Sequence, residues 1–350
     1  MAESPPPYLA VALQMRAWSV EQATDVAAAR AGMQAAIARV DRELFGLKAF
    51  VERFSGQPLK LVVLPEYLFS SFETGRTPDF RARAAFDPGG PEYQALGAVA
   101  QRHKLFLAGN AYETDPHFPM LYFQTSFVIA PSGDTILRYR RLYSLYTPTP
   151  HDVWSEYKKH YSHDQIFPVA DTEIGRLGCI ASEEILYPEI ARTLALKGAE
   201  VLLHSSSEQG SLVATPKQVA RRARAFESIA YVVSANTAGI EGGGIAGDSA
   251  DGNSAIIDWR GMVLADALSG ENGNAFAEID INAVRRARAK PGMSNTLARQ
   301  RLELFRETYA GTVWPADTLM ENGKPRAPKR GEQGTTLESV IKARQAKGLM

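Results

Sequence analysis

Three residues at the ends of apolar runs have types suited to acyl-transfer chemistry. Glu66 closes the run LVVLPE (61–66). A carboxylate directly after a buried strand lies where open α/β sheets build their sites. There it can act as a general base, or it can simply cap a turn. Arg138, Arg140 and Arg141 leave a second β-rich run in RYRRLYSLYTPTPHDVW. Strand alternation puts Arg138 and Arg140 on one face and Arg141 on the other. The first two are expected on a solvated arm. An arginine facing the interior needs an anionic partner. Ser182 ends GRLGCIAS (175–182), just before Tyr187-Pro188-Glu189 opens a helix. A small residue on a sharp strand-to-helix turn can lift a nucleophile above the sheet, near backbone N–H groups able to hold an oxyanion. Cys179, the single cysteine, sits three residues earlier within the strand. That odd offset directs it to the opposite face, and a lone cysteine in an apolar strand is expected to be a small core residue.

Other signals carry less. Gly242, Gly244 and Gly247 match a dinucleotide fingerprint, but no helix opens after them to hold a pyrophosphate. In HSSSEQGS, His204 and Ser205 are adjacent, so they point to opposite faces. They are expected in a polar loop at a sheet edge, where Ser205 and Ser206 could border a pocket. The six histidines show no metal-ligand spacing. No metal and no cofactor is expected.

The elements that must position these groups alternate. Residues 8–14 read as a buried strand, and 20–54, rich in Ala, Arg and Glu with helical apolar spacing, as a long helix. A strand over 59–66 ends at a proline turn, a helix lies near 91–102, and 105–113 is another strand. Two β-rich runs in 122–141 flank Pro131-Ser132-Gly133-Asp134 as a hairpin. The prolines of 147–150 give a loop-like start to the next stretch. After the strand at 175–182 come a helix closed by Gly198, a strand at 199–207, the helix TPKQVARRARAFESIA and the strand YVVSAN. A second hairpin spans 253–267 around Trp259-Arg260-Gly261. Strands and helices alternate with hairpins interposed, which predicts an α/β sandwich with mixed sheets. A main domain is expected over 8–310. Residues 311–350, with the basic stretch KPRAPKR, form a C-terminal extension.

Composition narrows the class. With 45% hydrophobic residues the chain can bury a sizeable core, and 39 basic residues balance 39 acidic ones. Nothing global points to nucleic acid or an acidic membrane as partner. A single cysteine excludes an intrachain disulfide framework. No signal-like leader or 18-residue apolar run is evident, so a cytoplasmic protein is expected.

Taken in order, LPE at a strand end, the Arg-rich arm, GRLGCIASEEILYPEIARTLALKGAEVLL, RARAFESIAYVVSAN and GNSAIIDWRGMVLA resemble the nitrilase, or carbon–nitrogen hydrolase, superfamily from about residue 8 to about 285. The resemblance implies an αββα sandwich, with homodimers or higher homo-oligomers paired through the helix after the nucleophile. It implies hydrolysis of a small molecule at a non-peptide amide, urea-type or nitrile C–N bond by a Glu–Lys–Cys set. The Glu position falls on Glu66. The Lys position falls on Arg141 and the Cys position, five residues before Tyr187, on Ser182. Two of three catalytic positions are therefore substituted. A serine hydroxyl attacks only when a base activates it, and arginine stays protonated and cannot shuttle protons. Three readings remain open: a serine placed at a catalytic cysteine to trap substrate, an active Glu-Arg-Ser variant, or a silent homologue that binds a small anion or a partner. A trap needs one substitution, not two. Lys158 or Lys159 could supply a lysine in space. Tyr67, His151, Asp152, Trp154, Glu156, Glu183, Glu184 and Tyr187, with Ser205 and Ser206, are the expected substrate-binding positions.

Overall fold

The computed structural model describes residues 5–72, 80–209, 213–243, 250–270, 274–329 and 331–350. Two six-stranded mixed sheets lie face to face. In the first the order is Ala275–Ile279, Tyr8–Ala12, Leu59–Val63, Phe106–Thr114, Tyr122–Ile129, Thr135–Arg140. In the second it is Val263–Asp266, Ala255–Ile257, Tyr231–Asn236, Val201–Ser206, Gly175–Ala181, Ala170–Thr172. Each sheet has three parallel strands at its centre, flanked by antiparallel ones. This is the expected αββα sandwich.

Period-two alternation sorts the side chains. Ala10, Ala12, Leu61 and Val63 share one buried cluster with Leu177, Cys179 and Leu203 of the second sheet. Leu9, Val11, Val62 and Leu64 turn the other way, into the cluster holding Met33, Ile37, Val40 and Leu44 of the long helix and Leu96 and Ala100 of the next. The long helix runs Val26–Ser55. It starts where Asp25 accepts the N–H of Ala28, and it stops at Gly56, whose φ of 72° suits a residue without Cβ. On the outside of the second sheet, the helices Pro188–Leu196 and Pro216–Ser228 contribute Ile190, Leu194, Ala220 and Ala225 to the core.

Two expectations fail for physical reasons. Arg138 and Arg140 are not a solvated arm. Arg140 is 11% exposed in its side chain and pairs with Asp115 at 2.5 Å over the rings of Phe123 and Tyr161, while Arg138 pairs with Glu113 at 3.1 Å. The outer face of the first sheet thus carries its own counter-charges. His204 and Ser205 lie not in an edge loop but in a central strand, fully buried. Their polar atoms are satisfied there, as burial demands.

The stretch after Pro148 folds into a tight turn over Pro150–Val153 and a helix over Trp154–His160. Residues of the C-terminal extension wrap onto it. Asp317 donates its N–H to His151 O, Leu319 donates its N–H to Asp152 O, and Leu319 is buried with Phe118, Val153 and Tyr157. A final helix spans Glu332–Gln345. Among the described residues no helix is long and apolar enough to cross a membrane.

Candidate active site

Glu66 and Arg141 pair where the parallel strands of both sheets end, and Ser182 adjoins in the chain Glu183, which pairs with Arg141. The two sheets are tied at that point. Glu66 N–H donates to Ser206 O at 3.2 Å, Thr237 Oγ1 donates to Glu66 O, and Ser205 Oγ donates to Leu64 O at 2.7 Å. Ser205 therefore fastens the sandwich rather than lining a pocket.

Glu66 is fully buried. Its Oε1 accepts Gln124 Nε2 at 2.7 Å and Arg141 Nη1 at 3.2 Å, while Oε2 is buried with no partner among the described residues. Arg141 does face the interior. Its Nη1 also donates to Gln124 Oε1, Nη2 donates to Glu183 at 2.6 Å, and Nε donates to Tyr143 O at 2.6 Å. Burial alone would lower its pKa, but Glu66, Tyr67 and Glu183 hold it well above the usual arginine value. The guanidinium is a permanent cation that makes four hydrogen bonds from its five N–H groups.

Ser182 is buried at the turn after Gly175–Ala181, with φ of 49°. The left-handed region costs a non-glycine residue roughly 1 kcal/mol or more, and such strain persists only where neighbours impose it. Two neighbours do. His204 Nε2 donates to Ser182 O at 2.8 Å, and its Nδ1 accepts from Ser234 Oγ at 2.7 Å. Burial, with Arg221 nearby, pushes His204 well below the ordinary histidine range, so it is neutral. On the other side, Glu184 accepts Ala181 N–H at 3.0 Å, Leu142 N–H at 2.6 Å and Tyr139 Oη–H at 2.9 Å. Burial pushes the Glu184 carboxyl up to about 7, with Arg141 and these donors pulling the other way.

Among the described residues no hydrogen bond joins Ser182 to Glu66. Ser182 Oγ is instead 3.3 Å from Lys217 Nζ, which also lies 3.4 Å from Ser206 Oγ and donates to Ser207 O at 3.2 Å. Lys217 is absent from the sequence-derived set. It stands in the first turn of the helix Pro216–Ser228, begun by the Thr215–Gln218 capping box. Burial lowers its pKa; Glu66 and Glu208 raise it, and Arg141 and Arg221 lower it further. One sequence signal could have flagged it. A lysine at a helix N-terminus opposes the macrodipole, so it invites another reason for being there.

The remaining expected residues divide. Glu183 contacts Arg141. Tyr187 is half-exposed and stacks on Tyr143 at 4.0 Å between ring centroids. Tyr67, with φ of 63°, adjoins Phe72 and Tyr112, and a cleft between Tyr67, Asn110 and Gln124 is too narrow for a water molecule. The other four belong to the unit gripped by the C-terminal extension. Asp152 caps Thr149 at 2.8 Å and accepts Thr318 Oγ1. His151 packs on Trp154, and Glu156 pairs with Lys159 at 2.6 Å. Neither Lys158, which lies over the Trp154 ring, nor Lys159 contacts Ser182; the lysine at Ser182 is Lys217. Cys179 is buried between the sheets, and burial pushes its thiol far up, away from a reactive thiolate. Residues 73–79 and 210–212 lie outside the described residues, as do Gly244 and Gly247. No cluster of metal-ligating side chains occurs among the described residues.

The carbon–nitrogen hydrolase family model matches residues 13–289. With that match and this fold, the chain belongs to the carbon–nitrogen hydrolase family. Among curated relatives it is 29% identical over 192 residues to a formamidase of Bacillus cereus, covering 54% of this chain and 53% of that protein. The chain thus spans about half the length of the formamidase it matches. It is 28% identical over 238 residues to the omega-amidase NIT3 of Saccharomyces cerevisiae, covering 66% and 79%. Among solved structures, a carbon–nitrogen hydrolase from Helicobacter pylori superposes with a TM-score of 0.66 at 20% identity, over 87% of this chain and 99% of the other. At that identity the likeness is one of fold.

Proposed function

We propose that this chain hydrolyses a non-peptide amide, urea-type or nitrile C–N bond of a small molecule, or transfers its acyl group, through an atypical Glu66–Arg141–Ser182 site. The observation that carries the reading is Ser182, held in left-handed backbone on the strand-to-helix turn, next in the chain to Glu183, which pairs with the Arg141 that also pairs with Glu66. Family membership and the amidase names of its relatives support the reaction class. Ser182 is the nucleophile. Arg141 is the electrostatic clamp for the oxyanion or a substrate carboxylate. Glu66 fixes Arg141 through Oε1 and leaves Oε2 as the acceptor for a substrate N–H or an attacking water.

A second reading has its own support. Glu66, Gln124, Glu183 and Tyr143 O already engage the guanidinium. That suits a silent homologue in which Arg141 welds the site. A screen of short amides, ureas and nitriles with the native chain, Ser182→Ala and Ser182→Cys separates the two. The first reading expects native turnover that falls by roughly 10³-fold or more in Ser182→Ala. Native activity that survives Ser182→Ala refutes Ser182 as nucleophile. Activity in Ser182→Cys alone favours the silent homologue.

A further inference from the structure

We propose that Lys217 is the proton acceptor and donor for Ser182, so that the nucleophile works as a serine–lysine pair rather than through Glu66. This rests on Ser182 being the nucleophile. Three observations carry it. Among the described residues Ser182 Oγ has a titratable hydrogen-bond partner in Lys217 Nζ at 3.3 Å, within reach for proton transfer once substrate tightens the site. Glu66, the expected base, makes no hydrogen bond to Ser182, and its Oε1 is taken by Gln124 and Arg141. Arg141, at the family's lysine position, cannot give up a proton. Lys217 is therefore the lysine available to the nucleophile.

The surroundings suit the task. An amine accepts a proton only when neutral, and lysine is the basic side chain that burial most readily neutralises. The groups facing Lys217 come from every element around it: Glu66 after Leu59–Val63, Glu208 after Val201–Ser206, Arg141 beyond the hairpin, Arg221 on its own helix, and neutral His204. Two carboxylates oppose two guanidiniums. Burial, the largest influence, and the positive end of the helix act with the guanidiniums to lower the pKa of Lys217. Ser206 Oγ and Ser207 O hold Nζ in place.

The steps balance without a further reagent. Ser182 Oγ bonds to the amide carbonyl carbon as its proton passes to Lys217 Nζ, and the carbonyl π pair moves to oxygen. The tetrahedral species collapses, the C–N bond breaks, and the leaving nitrogen takes the proton from Lys217. Water then attacks the acyl-serine, giving a proton to Lys217. On collapse the carbon–Oγ bond breaks, and the proton returns to Oγ as the acid leaves.

The test uses a fluorophosphonate probe, which needs an activated serine but no known substrate, with peptide mapping by mass spectrometry. Native chain, Ser182→Ala, Lys217→Met and Lys217→Arg are compared, each checked for native circular dichroism. The pair predicts labelling of native chain at Ser182, rising with pH through the amine's titration. It predicts loss of at least about 100-fold in both lysine variants. Arginine keeps the charge and the hydrogen bond but cannot accept a proton, so full labelling in Lys217→Arg overturns the proposal, as does equal labelling in Lys217→Met. In both of those cases Ser182 stands as nucleophile. A native chain unlabelled at Ser182 instead removes the nucleophile, and the pair falls with it.

Discussion

Removing both partners of the Glu66–Arg141 contact should cost less than the sum of removing each alone. Arg141 is 5% exposed and Glu66 not at all, so their interaction is little screened by water. Arg141→Met leaves the Glu66 carboxylate with Gln124 on Oε1 and without the guanidinium that pairs with it. An uncompensated buried carboxylate of this kind costs roughly 3–5 kcal/mol. Glu66→Gln is milder, at roughly 1–3 kcal/mol, because Arg141 keeps Glu183, Gln124 and Tyr143 O. In the double variant the Glu66 carboxylate that Arg141 pairs with is gone, and the loss of the Arg141 charge near Glu184 is common to the double and to Arg141→Met, so it cancels in the cycle. Part of Glu183 reaches solvent, with its side chain 29% exposed, so it tolerates losing the guanidinium. The double variant should therefore lose less than the sum of the singles, by roughly 2 kcal/mol. Urea unfolding of the four proteins, at unchanged denaturant slope, measures this cycle. Additivity within about 0.5 kcal/mol would refute the reasoning, since it would mean that Glu66 and Arg141 are stabilised independently.

Two further outcomes follow from burial. The Glu184 carboxyl is pushed up to about 7, above its ordinary 4.5, so the folded state binds a proton more tightly than the unfolded chain. Stability should then fall as pH rises from about 4.5 to about 7, by on the order of 3 kcal/mol, and Glu184→Gln should flatten that slope; an identical slope in both proteins contradicts the assignment. Cys179 should resist iodoacetamide in the folded chain and react at once in denaturant, and stoichiometric labelling of the native chain would show that the thiol is not a core group.

Much of the scaffold was legible because it rests on local rules. Alternation placed Arg141 inside while Arg138 and Arg140 faced away, and it assigned Cys179 to the core. The strand-to-helix turn at Ser182 followed from the apolar run and Pro188. What escaped depends on contacts distant in sequence. Arg140 looked solvated because Asp115, its partner, lies just past the end of another strand. His204 looked like a loop residue because nothing local shows that Ser182 O and Ser234 Oγ will satisfy it in a central strand. Asp152, His151, Trp154 and Glu156 looked like pocket residues because their loop follows the catalytic arm, yet residues 317–319 close over that stretch. No local pattern reveals which segment the C-terminal extension will grip.

The same limit governed Lys217, and it bears on how the site's charges must work. A lysine at the end of the hairpin arm would supply both a positive charge and a transferable proton. In this chain the two properties occupy different residues. Arg141 provides the charge permanently, fixed by Glu66, Glu183 and Gln124. Lys217, from a helix N-terminus, provides the amine. The two are coupled, because Arg141 is one of the groups that lowers the Lys217 pKa while Glu66 raises it. A guanidinium that cannot be deprotonated is thus more than a blocked acid. It disfavours a second positive charge beside the hydroxyl, which is the direction the proposed serine–lysine pair requires. A thiol near pKa 8.5 ionises with modest help, whereas a serine hydroxyl needs a neutral base in contact. In the proposed pair, the serine at 182, the arginine at 141 and the lysine at 217 form a single chemical arrangement.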